Sequence, residues 1–240
     1  MIVSFFISIY NMNMNNNLEK FQNLSKLFVG NGFFLCLVGG TVRDYLLGEE
    51  LTDMDAVTDA TPEEMKEFLP DADFHFAKYG SIRYLYEQLK FDITTLRVEN
   101  NYADSRHPSN VQFVKNLSED VKRRDFTING LYLNSSLEIV DYVGGQNDLK
   151  NHLIKCIGDP DKRIKEDPLR IIRAIRFAID FDFQIEDSLE QAIFDNVYLL
   201  KNLNIEKIKQ DLHKIKCRDK TKIKAILNKF NIAYLYDVIE

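Results

Sequence analysis

Leu37-Val-Gly-Gly-Thr-Val-Arg-Asp44, followed by Thr52-Asp-Met-Asp-Ala-Val57, decides how this chain is read. An apolar run from Phe33 to Val38 stops at the glycine pair and gives way to a short helical pattern from Thr41 to Leu47, with Thr41 placed to cap it. The next apolar run carries Asp53 and Asp55. Side chains alternate along a strand, so these two share a face while Met54 points to the core. Neighbouring carboxylates repel unless something positive lies between them. Beside a Gly-Gly turn, such a pair of hard oxygen ligands suits a divalent metal with phosphate on its far side. A solvated Asp-x-Asp at a strand edge is the competing reading.

The rest of the composition sets bounds. The chain has 240 residues, enough for one large domain or two small ones, and is rich in Phe and Tyr without any Trp. Cys36, Cys156 and Cys217 are scattered and odd in number, which fits free thiols in a reducing compartment better than disulfides or a zinc site. The apolar opening, Met1 to Tyr10, has no basic residue and is too short to span a bilayer. With the Asn-rich stretch behind it, residues 1–17 are expected to be a disordered leader on a cytoplasmic protein with no membrane partner. Net charge is −6, yet residues 1–120 carry −8, residues 121–240 carry +2, and residues 201–229 alone carry +7. A chain acidic overall can still present a basic face to a polyanion, although Lys-rich helices are often only solvated faces.

Along the chain, Leu18 to Phe28 has helical spacing, and Thr61-Pro-Glu-Glu starts a second helix running to about Leu69. Phe74 to Lys78, Ile82 to Tyr86 and Phe91 to Val98 read as strands, with Asp92 and Thr94 on one face of the last. Asn100 to Pro108 is a polar loop, Leu117 to Asn129 a helix, and Leu131 to Asn134 and Ile139 to Tyr142 two short strands. Helix and strand signals mix without a βαβ repeat, so the expected fold class is α+β. Beyond Asn151 only helices follow: Pro168 to Asp180, Ile185 to Leu199, Ile205 to Lys216 and Thr221 to Phe230. The expected division is a head over 18–148 and a helical domain over 149–240.

If the strand of Asp92 lies beside that of Asp53 and Asp55, three carboxylates cluster and can serve an in-line phosphoryl displacement. Arg43, just after Gly39-Gly40, and the Arg123-Arg124-Asp125 group supply forks that match phosphate oxygens. Neither a P-loop nor a Rossmann fingerprint is present. In Glu166-Asp-Pro-Leu-Arg170, Asp167 and Arg170 are three apart. They form either a structural ion pair or a joint acceptor and donor for a base edge. Arg170, Arg173 and Arg176 repeat along the same helix, and Arg173 joins the candidate nucleotide-binding set.

Seven ordered motifs carry a resemblance: Leu37-Val-Gly-Gly-x-Val-Arg-Asp44, Asp53-Met-Asp55, Asp92-Ile-Thr-Thr-Leu-Arg97, Asp104-x-Arg-His-Pro108, Arg123-Arg-Asp-Phe-Thr-Ile-Asn129, Asp141-x-x-Gly-Gly145 and Glu166-Asp-x-x-Arg170. Over roughly residues 20–230 the chain resembles the class II tRNA nucleotidyltransferase and bacterial poly(A) polymerase family. The resemblance implies a polymerase-beta-like head with a small mixed sheet and helices, followed by an all-helical neck. It implies magnesium on Asp53 and Asp55, with Asp92 and Arg124 also catalytic. Triphosphate contacts would come from Gly39, Gly40, Arg43, Arg123 and Arg124. Asp125 and Asn129 would shape the nucleotide site, and Asp167 and Arg170 would read the incoming base. Asp104 to Pro108 would be a mobile loop and Asp141 to Gly145 a hinge.

The implied activity is template-independent addition of CMP and AMP from CTP and ATP to a tRNA 3′ end, with release of pyrophosphate. A poly(A) polymerase, or an enzyme adding only CC or only A, shares the motifs, and a non-catalytic RNA-binding scaffold is the reading from another class. Two departures stand out. Glu206-Lys-Ile208 replaces a usual Glu-Arg-Ile, and the chain stops where the family continues into body and tail. That leads to the expectation of a truncated form, a naturally minimal enzyme, or a head and neck needing a partner, such as a homodimer that rebuilds a longer RNA surface.

Overall fold

A computed structural model describes the backbone of residues 2–102 and 108–238 and the side chains of 14–98 and 111–237. The chain divides into two compact units, one of Met1–Glu99, Asn110–Arg124 and Asn129–Val143, the other of Asn100–Ser109, Asp125–Ile128 and Gly144–Glu240. The division falls at Val143, just before the expected 148, and Asp125–Ile128 groups with the second unit.

In chain order the first unit holds α1 (Ile2–Gly30), β1 (Leu35–Val38), α2 (Gly40–Leu47), β2 (Asp53–Thr58), α3 (Pro62–Phe68), β3 (Ser81–Tyr86) and β4 (Leu89–Thr95). A ribbon of β5 (Arg97–Tyr102) and β6 (Pro108–Phe113), whose residues Asn100–Ser109 count with the second unit, comes next in the chain, and the first unit continues with α4 (Leu117–Asp120), β7 (Leu131–Leu133) and β8 (Ile139–Asp141). The main sheet runs in the order β3-β4-β2-β1-β7-β8. All its neighbours are antiparallel except β2 and β4, which are parallel. It is the mixed sheet with helices that the sequence implied.

One face of that sheet is the core. Leu35, Leu37, Met54, Ala56, Ile82, Phe91, Ile93, Leu131 and Leu133 meet Leu18, Phe21, Leu24 and Phe28 of α1, Val42 of α2 and Met65 of α3. Burying each of these side chains other than Ala56 contributes about 1.5–3 kcal/mol. Strand alternation then leaves Asp53, Asp55 and Asp92 on the opposite, wetter face. The predicted capping box is present at Thr61 and Glu64.

Several expectations are corrected. The disordered leader over 1–17 gives way to α1, which begins at Ile2. Met14 packs against the head core and Asn17 donates to the Leu51 carbonyl at 2.8 Å, so these two side chains are tied down by contacts that periodicity does not reveal. The strand expected at Phe74–Lys78 is absent: Asp73 turns the chain by accepting from the His75 N–H, and a 3-10 turn at Ala77–Tyr79 follows. The helix expected over Leu117–Asn129 ends at Asp120. Backbone groups of Asp125 and Thr127 bond instead to Ile157 and Lys155, and 3-10 turns replace the remaining helix. Residues 103–107 of the expected mobile loop lie outside the described residues.

The second unit holds α5 (Gly145–Lys150), β9 (Leu153–Ile154), α6 (Pro160–Glu166), α7 (Leu169–Phe181), β10 (Gln184–Ile185), α8 (Asp187–Asn196), α9 (Ile205–Leu212) and α10 (Lys220–Lys229). From Gly144 on, its described elements are helical apart from the short parallel pair β9 and β10. Helix α7 is its axis, with Ile171, Ile172, Ile175 and Ile179 fully buried. Phe126 packs edge-on to Phe177 at 5.8 Å between ring centres. No helix among the described residues is long and apolar enough to cross a membrane.

Gly80 offers a test of the head. It ends the 3-10 turn at φ 80°, where a Cβ would also stand 2.6 Å from the Phe113 ring. Phe113 is partly exposed and can swing aside, so the left-handed backbone sets most of the cost. Gly80→Ala should destabilise the first unit by about 1–2 kcal/mol. An unchanged urea midpoint would contradict this.

Candidate active site

The head site starts from register. In the parallel pair of β2 and β4, Asp55 stands directly opposite Asp92, and Asp53 opposite Lys90. The condition for three carboxylates on one sheet face is therefore met. Helix α2 is locked onto β2 by Thr41, whose hydroxyl accepts from the Asp55 N–H at 2.8 Å. Thr41 thus fastens the glycine turn to the aspartate strand. The helix cap is Gly39, at φ 66°, a conformation that favours glycine.

The carboxylates do not converge. Among the described residues no group of three or more His, Cys, Asp or Glu could hold a metal ion together. Mutual repulsion and separate cations explain it: Asp92 accepts from Arg83 Nε at 3.1 Å, and Lys90 lies 3.9 Å from Asp53. Asp55 is crowded by protein atoms although its side chain meets the cavity. That crowding first, and the Asp92 carboxylate second, push its carboxyl above the ordinary range, while Arg124 and Arg43 pull it down. Magnesium is commonly bound by one or two carboxylates together with substrate phosphates rather than by a protein cage. Asp53 and Asp55, hard oxygen donors on one face beside a carboxylate neighbour, fit that demand.

A cavity of about 250 Å³ opens over this face, lined by Asp55, Asp92, Gly39, Arg97, Arg123 and Arg124 among others. Arg124 Nη1 lies 3.6 Å from where a Cβ on Gly39 would sit, so the fork stands against the glycine turn. Arg43 is placed differently. It is 7 % exposed and clamps Asp44 at 2.7 Å and Asn129 Oδ1 at 2.7 Å, so much of its fork joins α2 to the Asn129 turn.

In the second unit, Asp167 gives one oxygen to the Leu169 N–H at 3.1 Å and the other to Arg173 Nη2 at 2.7 Å. Arg173 Nε also lies 3.4 Å from Asp125. Arg170, 4 % exposed, directs Nη1 to the Arg163 carbonyl and to Glu166. The sequence offered an Asp167–Arg170 pair as the structural reading. The partner actually holding Asp167 is Arg173, one helical turn further on.

Sequence reasoning named Arg97 within a motif without giving it a role, and passed over Asp120 and Tyr132. Asp120 is fully buried and holds both Arg123 and Arg124. A carboxylate three and four residues before two arginines is a readable signal. Tyr132, reaching Asp120 Oδ2 at 3.0 Å from strand β7, left none. Cys36 and Cys156 stay outside the chemistry: burial pushes the thiol of Cys36 up to about 12 and that of Cys156 to about 11.

Comparison with known proteins follows the same lines. The poly A polymerase head domain family matches residues 35–155. The CCA-adding enzyme of Lactobacillus helveticus is 46 % identical over 184 residues, 77 % of this chain and 46 % of that protein. That of Enterococcus faecalis is 42 % identical over 177 residues, 74 % of this chain and 44 % of that protein. The chain thus spans about half the length of the curated relatives it matches. A crystal structure of the Bacillus stearothermophilus CCA-adding enzyme in complex with CTP superposes with TM-score 0.81 at 29 % identity, over 89 % of this chain and 52 % of that one. The Thermotoga maritima CCA-adding enzyme complexed with tRNA gives TM-score 0.69 at 29 % identity, over 88 % of this chain and 50 % of that one.

Proposed function

Because this chain belongs to the poly A polymerase head domain family, and CCA-adding enzymes are among its relatives, we propose that it adds CMP and AMP, from CTP and ATP, to the 3′ end of tRNA without a template. One observation carries the reading: the Asp55–Asp92 register sets two carboxylates against Arg123 and Arg124 around one cavity. Held by Asp53 and Asp55, magnesium would supply charge neutralisation on the phosphates and a lowered pKa for the attacking hydroxyl.

The residues of the chain divide the remaining work. Arg123 and Arg124 orient the triphosphate, and their fixed charge favours the pyrophosphate that leaves. The Gly39-Gly40 turn lets backbone N–H groups at the start of α2 approach a phosphate. Asp92 adds a carboxylate next to Asp55, on the face where the hydroxyl must lose its proton. Arg43 and Asn129 hold α2 and the turn after the arginines in place. In the second unit, Asp167 and Arg170 offer one acceptor and one donor fork to a base edge, with Arg173, itself paired with Asp125, bracing Asp167. We place the reaction in the cytoplasm. A poly(A) polymerase, or an enzyme limited to CC or A, uses the same chemistry and differs only in base choice.

The test is incorporation of labelled CMP into tRNA lacking its CCA end, with pyrophosphate released in equal amount. No incorporation with magnesium and CTP would overturn the proposal. Selectivity gives a sharper prediction. Asp167→Ala should erode discrimination of CTP and ATP from UTP and GTP by about 1–3 kcal/mol, with little change in triphosphate affinity. Unchanged ratios among the four nucleotides would leave Asp167 as only a structural partner of Arg173.

A further inference from the structure

Asp120 has no part in the chemistry above, yet it touches every arginine of the cavity wall. Its side chain is 0 % exposed. Oδ1 accepts from Arg123 Nε at 2.7 Å and from the Arg97 backbone N–H at 3.3 Å. Oδ2 accepts from Arg124 Nε at 3.1 Å and Nη2 at 2.9 Å, and from the Tyr132 hydroxyl at 3.0 Å. Arg97, Arg123 and Arg124 all line the cavity that Asp55 and Asp92 enter. The Tyr132 ring lies 5.3 Å from the Arg124 guanidinium and supports it from the side.

We propose that Asp120, backed by Tyr132, is the positioning residue of an oligophosphate cradle, aiming Arg123 and Arg124 at one polyphosphate chain and tying the start of β5 to them through the Arg97 N–H. This deepens the nucleotidyl-transfer reading and rests on it. Adjacent residues of a turn send their side chains in different directions. A shared carboxylate, one oxygen for each guanidinium, brings Arg123 and Arg124 to the same wall. Ordering two flexible arginines before the ligand arrives lowers the cost of binding. The positive charge survives, since one carboxylate faces two guanidiniums. The ligand class that fits is a chain of linked phosphates: the triphosphate of an incoming nucleotide, and pyrophosphate as the product. Asp120 touches neither the reacting phosphorus nor the hydroxyl. It acts through the arginines.

The experiment compares wild type, Asp120→Asn and Tyr132→Phe by calorimetric titration with inorganic pyrophosphate and tripolyphosphate in magnesium buffer, alongside nucleotide-addition kinetics. Asp120→Asn is expected to weaken both polyphosphates about tenfold, the size of one charge-assisted hydrogen bond lost or misaimed. KM for CTP and ATP should rise by a similar factor, while kcat at saturation changes less. Tyr132→Phe should move the same quantities in the same direction by a smaller factor. A folded Asp120→Asn protein that binds tripolyphosphate like wild type overturns the cradle. If that variant proves unfolded, Tyr132→Phe decides, and unaltered polyphosphate binding there overturns it equally. Wild type that binds pyrophosphate in an Asp120-dependent way but adds no nucleotide to RNA would uphold the cradle and remove the proposed reaction instead.

Discussion

Asp55→Ala is expected to lower nucleotide addition by roughly a thousandfold or more while leaving the head folded. Under the proposed chemistry Asp55 is half of the metal-binding pair, and charge stabilisation by such an ion is worth several kcal/mol of barrier, each 1.36 kcal/mol being about tenfold. The fold should tolerate the change because the side chain borders the cavity and its removal opens no hole in the core. It also relieves repulsion, since Asp92 stands opposite in the register and Asp53 lies on the same strand face. The urea midpoint should therefore stay level or rise slightly. Asp53→Ala should behave alike, its side chain being 67 % exposed. Near wild-type incorporation by either variant would remove the carboxylate pair from the mechanism.

The second large effect is on stability, and it falls on Asp120. Truncating a buried partner of two guanidiniums strands their charge and takes away the nearer acceptor of the Tyr132 hydroxyl, leaving it the Leu117 carbonyl at 3.3 Å. Asp120→Ala should destabilise the first unit by about 3 kcal/mol, the low end for breaking a buried pair, because both arginines also border a cavity. Protonation should do in part what the mutation does. Burial tends to raise the Asp120 carboxyl, but Arg123 and Arg124 together outweigh it and hold it well below the usual carboxylate range. A folded-state pKa below the unfolded one gives stability that is fully present above the unfolded pKa, near 4, and is lost as pH falls toward the folded value. Wild type should therefore lose head stability more steeply below about pH 4 than Asp120→Asn does. Identical acid limbs for the two proteins would contradict this pairing.

Much of the site was legible because its residues sit on regular elements. Alternation alone put Asp53 and Asp55 on one face with Met54 inward, and the same alternation put Asp92 on the corresponding face of its own strand. What alternation could not supply was the register, which depends on strand pairing over a long sequence separation. It is the parallel pairing of β2 with β4 that sets Asp92 against Asp55. The arginine stretch failed differently. Leu117 to Asn129 has helical composition, but Asp125 and Thr127 give their backbone groups to Ile157 and Lys155, a tertiary competition invisible in local propensity. Asp167 shows a third limit. Spacing of three residues suggested Arg170 as its partner, whereas the turn between α6 and α7 brings Arg173 within 2.7 Å. At the amino-terminal end the sequence did not show that Asn17 is anchored to Leu51, because that is a contact between distant segments.

The central claim is tested most directly by sequencing the 3′ ends of products made from tRNA lacking its terminal CCA. CTP alone should yield two added C residues and then stop, and ATP alone should add nothing to that end. Both together should give C, C and A with no further growth. A lengthening run of A with ATP alone, or addition of any nucleotide without preference, would contradict the account.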